Sequence, residues 1–404
     1  MSGTAAPQKI SPAQQNAMAR DLIFSRAKPI FQRVTSKTFT NVAAGNNQMV
    51  VNPLQIGFLR SFWIEVTATI ANPNLAGGPT ATLTPNSIAN LLANVTFADF
   101  TGNPRHNASG RAFQYVEAAK YGRIPGAALV SDSQSGTPTA GIGFGSNIES
   151  NFAPLTIAAA SSATVAAVFE VPIMVDTGKF MTGGMWLGVN NQSTLLTVTL
   201  NPTPIAVNTT DPLPAVYTAS AVAAGTQVTS ATVTVYQDYW NFSDPTLFDP
   251  KTGNPILPVN DISTAYMITE TNSGLTFAAG QTSSWNFPTF SKLMGTYVTY
   301  DNGNALNPGT DIETMALVVS NYSIIKQYSP RMIDRLTRNV VKASYPTGTY
   351  AIMSRMHPLD VSQYPSLQLQ ITPNTALAGA YAMVTTELLR PVQFMASASG
   401  MGGA

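Results

Sequence analysis

Hydrophobic and polar positions alternate in short runs along most of the chain, and one succession of runs occurs twice. Apolar residues two apart mark a strand face; apolar residues three and four apart mark a helix face. In the first half, Asn94-Val95-Thr96-Phe97-Ala98-Asp99-Phe100 predicts a strand. A polar loop follows, then a helix over 111–121 with Ala112, Val116 and Ala119 on one stripe, stopped by Gly122. In the second half, Met315-Ala316-Leu317-Val318-Val319 predicts a strand. Ser329-Pro330 then opens a helix over 330–343 with Ile333, Leu336 and Val340 aligned, ending before Tyr345-Pro346-Thr347-Gly348. Each half closes on two strands: 195–202 is echoed by 367–374, and 231–236 by 380–384. The long aromatic and β-branched run 57–70 reads as another strand, stopped by Asn72-Pro73-Asn74. An all-β unit with one helix at a matching place, present twice, predicts two related tandem barrels. A short helix with a single apolar stripe belongs on a barrel flank.

Helical signals return at the N-terminus. Ser11 can cap, Pro12 takes the first helical position and Gln14 the capping-box position, so 13–27 reads as a helix that Pro29 ends or hinges. Residues 1–38 form a basic, amphipathic arm carrying Lys9, Arg20, Arg26, Lys28, Arg33 and Lys37 against Asp21 alone. Prolines and glycines crowd 242–258, the best boundary in the chain. The domains read as the arm, a first barrel over 39–241, a linker over 242–258, a second barrel over 259–395 and a Gly-rich tail over 396–404. Two segments, 122–150 and 201–228, read as long surface loops, a length usual for functional or interfacial segments.

Composition sharpens this picture. Hydrophobic residues make up 44%, enough for two cores, while charged residues are only 10%, far below the usual quarter. Sparse charge suits outer faces that are buried against copies of the same chain. Lys+Arg 21 against Asp+Glu 20 gives no overall preference for nucleic acid, and no sequence-specific nucleic-acid binding is expected. The absence of cysteine excludes disulfides and thiolate metal sites. No signal peptide and no bilayer-spanning run are read.

Catalytic chemistry finds no constellation. His106 and His357 lack partners at metal-ligand or relay spacing and read as isolated loop or surface residues. No Gly-x-Ser-x-Gly elbow or Walker-type motif occurs, and Gly141-Ile142-Gly143-Phe144-Gly145 reads as a flexible loop. Asp99, Glu117, Asp238, Asp261, Asp301, Asp311 and Glu313 supply carboxylates for a glycosidase pair in number only. No catalytic, cofactor or metal residue is assigned. The arm has three readings: nucleic-acid contact, an anionic membrane surface, or docking on a neighbouring subunit. Met18, Leu22, Ile23 and Phe24 favour a surface-lying helix.

Several stretches carry a resemblance. They are Ser11-Pro12-Ala13-Gln14-Gln15, Ser109-Gly110-Arg111-Ala112-Phe113 leading to Ala118-Ala119-Lys120-Tyr121-Gly122, and Gly253-Asn254-Pro255-Ile256-Leu257-Pro258 with Asp261-Ile262-Ser263-Thr264. The sharpest is Asp301-Asn302-Gly303 followed by Asn307-Pro308-Gly309-Thr310-Asp311-Ile312. Together they resemble the double jelly-roll major capsid proteins of tailless icosahedral phages with an internal membrane, the tectivirus type. The resemblance implies two eight-stranded jelly rolls with short flanking helices, no enzymatic activity, and homotrimers of nearly hexagonal outline tiling a virion shell. It also implies minor capsid and vertex proteins as partners, with the N-terminal helix at the inner face beside the membrane. A trimeric carbohydrate-binding phage adhesin and a jelly-roll glycosidase are the alternative readings.

Overall fold

The computed structural model describes residues 27–78, 80–83, 89–99, 102–121, 128–129, 155–176, 181–187, 193–204, 227–241, 264–276, 281–301, 312–319, 323–329, 331–333, 335–336, 349–353, 355, 357–374 and 381–391. The expected helix over 13–27, the linker 242–258 and the tail 396–404 lie wholly or almost wholly outside these residues.

The first unit is framed by β1 (Lys28–Thr40), β2 (Gln48–Val51), β3 (Phe58–Ala71), β4 (Leu92–Ala98), β5 (Pro104–Ala108), the helix α1 (Gly110–Tyr121), β6 (Ser162–Pro172), β7 (Leu195–Leu200) and β8 (Val228–Asn241). These strands make two sheets, in the orders β1-β8-β3-β6 and β2-β7-β4-β5. The second unit repeats the frame with β9 (Thr264–Thr276), β10 (Ser283–Asn286), β11 (Lys292–Asp301), β12 (Ile312–Val319), β13 (Ser323–Tyr328), β14 (Thr349–Met353), β15 (Leu367–Pro373) and β16 (Tyr381–Pro391). Its sheets run β9-β16-β11-β14 and β10-β15-β12-β13, so every strand takes the neighbours of its counterpart. Even a two-residue piece is repeated: Met185–Trp186 pairs with β3 where Leu359–Asp360 pairs with β11. Further short strands flank the first unit, such as Ala81–Leu83 against Leu155–Ile157, so eight strands describe each frame rather than every strand.

The sequence pattern explains the layers. Along β7 and β15 every second residue is buried, and β3 and β8 show the same alternation over most of their length. Period-two burial turns one face of each sheet into the barrel interior. The duplication is sharpest where a bulge interrupts pairing. Leu92, Val95 and Phe97 are the buried residues of β4; Ile312, Met315 and Leu317 hold the same spacing on β12. Phe97 faces His106 and the register then slips; Leu317 faces Lys326 and slips at the same place. After each, a serine carbonyl accepts the first helical N–H, Ser109 from Phe113 at 3.3 Å and Ser329 from Ile333 at 3.0 Å. Residues 331–333 and 335–336 are helical, so helices follow β5 and β13 at equivalent positions.

Two expectations are corrected, and the helix is placed more closely. The arm, read as 1–38, ends earlier: from Lys28 onward the chain is β1, paired with β8 from Lys28↔Asn241 to Thr40↔Ser230. Pro29 sits near the start of an edge strand, where its missing N–H costs no ladder bond. Helix α1 packs against β4, β5 and β6 of the first unit and is covered on its outer side too, residues 111–119 being all buried. His106 is fully buried, whereas His357 is exposed as expected for a loop residue.

The turn before β3 depends on Gly57, at φ +68°, where an added Cβ would sit 2.3 Å from the Trp240 carbonyl oxygen. Gly57→Ala is expected to destabilise by at least about 2 kcal/mol, from left-handed strain plus that overlap. Differential scanning calorimetry checks this; an unchanged midpoint would refute it.

Candidate functional site: the junction between the two units

Among the described residues, the densest meeting of buried polar side chains lies where the units join. Here β5 runs parallel to β9, with His106 opposite Ile268 and Asn107 opposite Thr269. This short pairing fuses a sheet of each unit into one, ordered β2-β7-β4-β5-β9-β16-β11-β14. The hydrophobic core follows: Tyr266, Ile268, Met294 and Tyr297 of the second unit belong to the same cluster as Phe62, Phe97 and Phe113 of the first.

His106 latches the two. Its Nδ1 accepts from the Ile268 backbone N–H at 3.0 Å, and its Nε2 lies 2.6 Å from the Pro172 carbonyl oxygen. Accepting at one nitrogen and donating at the other demands the neutral Nε2–H tautomer. Burial, aided by the nearby Arg105 cation, pushes the imidazole pKa down to about 3, against the pull of the Pro172 carbonyl. Arg105 itself is bound by Asp99 at 3.1 Å and donates to the Gly183 carbonyl at 3.0 Å. Helix α1 adds further ties. Ser109 at its start donates to Glu270 at 2.8 Å, the Tyr115 hydroxyl lies 3.3 Å from Thr349 Oγ1, and its ring stacks on Tyr297 at 6.3 Å.

Behind this contact sits Glu387, fully buried. It accepts from the Tyr266 hydroxyl, from the Tyr297 hydroxyl at 2.6 Å and from Arg355 Nη2 at 2.6 Å. Burial pushes Arg355 down, but the adjoining carboxylate outweighs it and holds the guanidinium well above its ordinary range. The register makes Asp238 the counterpart of Glu387, since both stand beside the bulges that β3 and β11 impose on β8 and β16. Asp238 also pairs with an arginine, Arg60, at 3.3 Å.

The residues singled out in the sequence fall elsewhere. Lys9, Ser11, Pro12, Gln14, Arg20 and Arg26 lie outside the described residues. Lys28, Pro29 and Arg33 are exposed on β1. Lys37 donates to the Gln48 carbonyl at 3.0 Å and covers the Phe39 ring, so it serves its own barrel. Among the described side chains the candidate carboxylates do not converge as a catalytic pair would. Asp99 and Asp238 are engaged by arginines, Glu117 is buried on α1, and Glu313 is exposed on β12; Asp261 and Asp311 lie outside the described residues. Among the described residues no group of three or more His, Cys, Asp or Glu could hold a metal ion. The sequence reading missed the junction residues. One signal was present: α1 has Phe113, Tyr115 and Ala118 off its stripe, so its apolar surface is wider than one face, beside a polar row of Arg111, Gln114, Glu117 and Lys120.

Two like-ordered jelly-roll units welded through buried structural groups have the architecture of the double jelly-roll capsid class. The chain belongs to the P3 major capsid protein family: the model of its N-terminal part matches residues 5–242 and that of its C-terminal part residues 263–399. The major capsid protein P3 of Enterobacteria phage PRD1 is 27% identical over 398 residues, covering 94% of this chain and 95% of that one. The crystal structure of the STIV MCP shares the fold, with a TM-score of 0.60 at 10% identity, over 90% of this chain and 97% of that one. A chain of the atomic structure of Sulfolobus Turreted Icosahedral Virus gives a TM-score of 0.59 at 10% identity, over 90% and 91%.

Proposed function

We propose that this major capsid protein assembles as homotrimers of nearly hexagonal outline, which tile an icosahedral shell around an internal membrane. Membership of the P3 major capsid protein family across both units carries this reading. The duplicated frame supports it, because three copies of a two-unit chain supply six similar units to one ring. Shells of this kind bring minor capsid and vertex proteins as further partners.

The arm, residues 1–27, belongs at the inner face. Support comes from where it joins the barrel. Lys28 pairs with Asn241 at one rim, whereas Thr40, Ala71, Ser162 and the start of β8 stand at the other. β6 and β8 start at that second rim, with Ser162 opposite Ala71 and Val228 opposite Ile70, whereas β1 starts at the first. Lys9, Arg20 and Arg26 then meet anionic headgroups, each contributing roughly 1 kcal/mol near such a surface.

Deleting residues 2–26 spares β1 and tests the assignment. The expected outcome is soluble trimers by light scattering with loss of membrane-containing shells by electron microscopy. Failure to trimerise would make the arm a clasp between subunits; normal shells would remove its role altogether.

A further inference from the structure

The junction inside each chain has an unfilled counterpart at its two ends. Among the described residues, β1 pairs only with β8 and β13 only with β12, so each offers an open sheet edge. These are the duplicated copies of the strands that meet internally: β1 corresponds to β9 and β13 to β5. Register makes the correspondence specific. Ile268 lies opposite Glu387 and Phe31 opposite Asp238, so Phe31 is the counterpart of Ile268. Lys326, opposite Leu317, is the counterpart of His106, opposite Phe97.

Exposure differs sharply between the two sets. Ile268 is fully buried, and Phe31 is 57% exposed. Ala112 and Val116 of α1 are fully buried, while their counterparts Met332 and Leu336 are 53% and 42% exposed. Tyr115, which reaches across the internal junction, is matched by exposed Arg335. Beyond single residues, β1 is exposed at most positions on both faces, and it lacks the alternation of a strand covered on one side. Large apolar side chains on an open edge are an aggregation hazard unless something covers them.

We infer that β13 of one copy pairs in parallel with β1 of the next, with Lys326 opposite Phe31 and Gln327 opposite Gln32. The helical segment 331–336 packs beside that pair as α1 does internally. The occupant is a second copy of this chain, because the only surface shown to cover such an edge is the other half of the same duplication. The contact is head to tail, each copy using a different edge at each side, and such contacts close into rings when the rotation allows. This rests on the trimer reading, and it adds which strands and which residues make the contact.

The absence of cysteine makes the test clean. Directly opposed strand residues lie about 5 Å apart, within disulfide reach. Two double variants are made in the full chain, Phe31→Cys with Lys326→Cys, and Gln32→Cys with Gln327→Cys; the second pair occupies exposed sites and gives up one hydrogen bond, from the Tyr239 hydroxyl to Gln32. Mild oxidation, or a short bis-maleimide, should convert both into covalent trimers on denaturing gels, while each single variant stays monomeric. Cross-linked dimers from a single variant would mean a symmetric contact and overturn the inference. Trimers by light scattering with no cross-link in either double variant would also overturn it, while leaving the capsid reading intact. A parent chain that forms no oligomer at all would defeat the trimer reading itself.

Discussion

Glu387→Ala is expected to lower stability by about 3–5 kcal/mol, because it strands a buried arginine. Arg355 loses its counter-charge, and the Tyr266 and Tyr297 hydroxyls lose their acceptor in the same step. Each buried donor left without a partner adds a desolvation penalty of about 1–3 kcal/mol, though penalties within one network do not simply add. The carboxylate also has a fixed seat: a Cβ on Gly295 would lie 2.8 Å from its Oε2. Glu387→Gln keeps the shape while removing the charge, so its cost should be smaller than that of alanine. Thermal unfolding followed by calorimetry gives the ranking, and hydrogen exchange at Tyr297 locates it. An alanine variant that melts with the parent would show the cluster to be energetically idle.

Acid should loosen the chain at its internal junction. The folded His106 is held neutral down to about pH 3, whereas the unfolded residue titrates near its ordinary 6.5. Between those values the unfolded state binds the extra proton, so the histidine's contribution is complete above about pH 6.5 and falls as the pH drops. The loss amounts to roughly 2 kcal/mol by about pH 5, at 1.36 kcal/mol per unit. His106→Leu should cost about 2–4 kcal/mol at neutral pH, since the Ile268 N–H and the Pro172 carbonyl lose their partner. The same variant should flatten the dependence of the melting midpoint between about pH 5 and 7, a window mostly above carboxylate titration. A slope equal to that of the parent would assign the acid sensitivity elsewhere.

The frame of each unit was legible because it is written in local pattern. The spacing of Val95 and Phe97, repeated by Met315 and Leu317, and the Ser329-Pro330 start of the second helix are signals within one element. The junction was not legible, because its members are far apart in the chain. Nothing near His106 announces Ile268, and a parallel pairing between separate units leaves no turn between its strands. The same distance hid β1: Pro29 and the basic residues around it read as the end of an arm, while the partner that makes them a strand begins at Val228. Glu387 escaped for the opposite reason. Thr385-Thr386-Glu387 reads as polar surface, and only the convergence of Tyr266, Tyr297 and Arg355 makes it core.

More than half of the extra length of the first unit lies in two stretches that lead back to one rim. The chain from Tyr121 to Ser162 and from Leu200 to Val228 is long, whereas the matching stretches, from Leu336 to Thr349 and from Pro373 to Tyr381, are short. Both long stretches return to the same place, since Ser162 pairs with Ala71 and Val228 with Ile70. Their returning ends are pinned by one ladder, so lengthening either costs little more than loop closure, about 0.6 kcal/mol per doubling. A peptide grafted there is therefore expected to leave the welded frame at the far rim undisturbed. The molecule thus keeps room for added surface and its internal weld at opposite ends of one barrel.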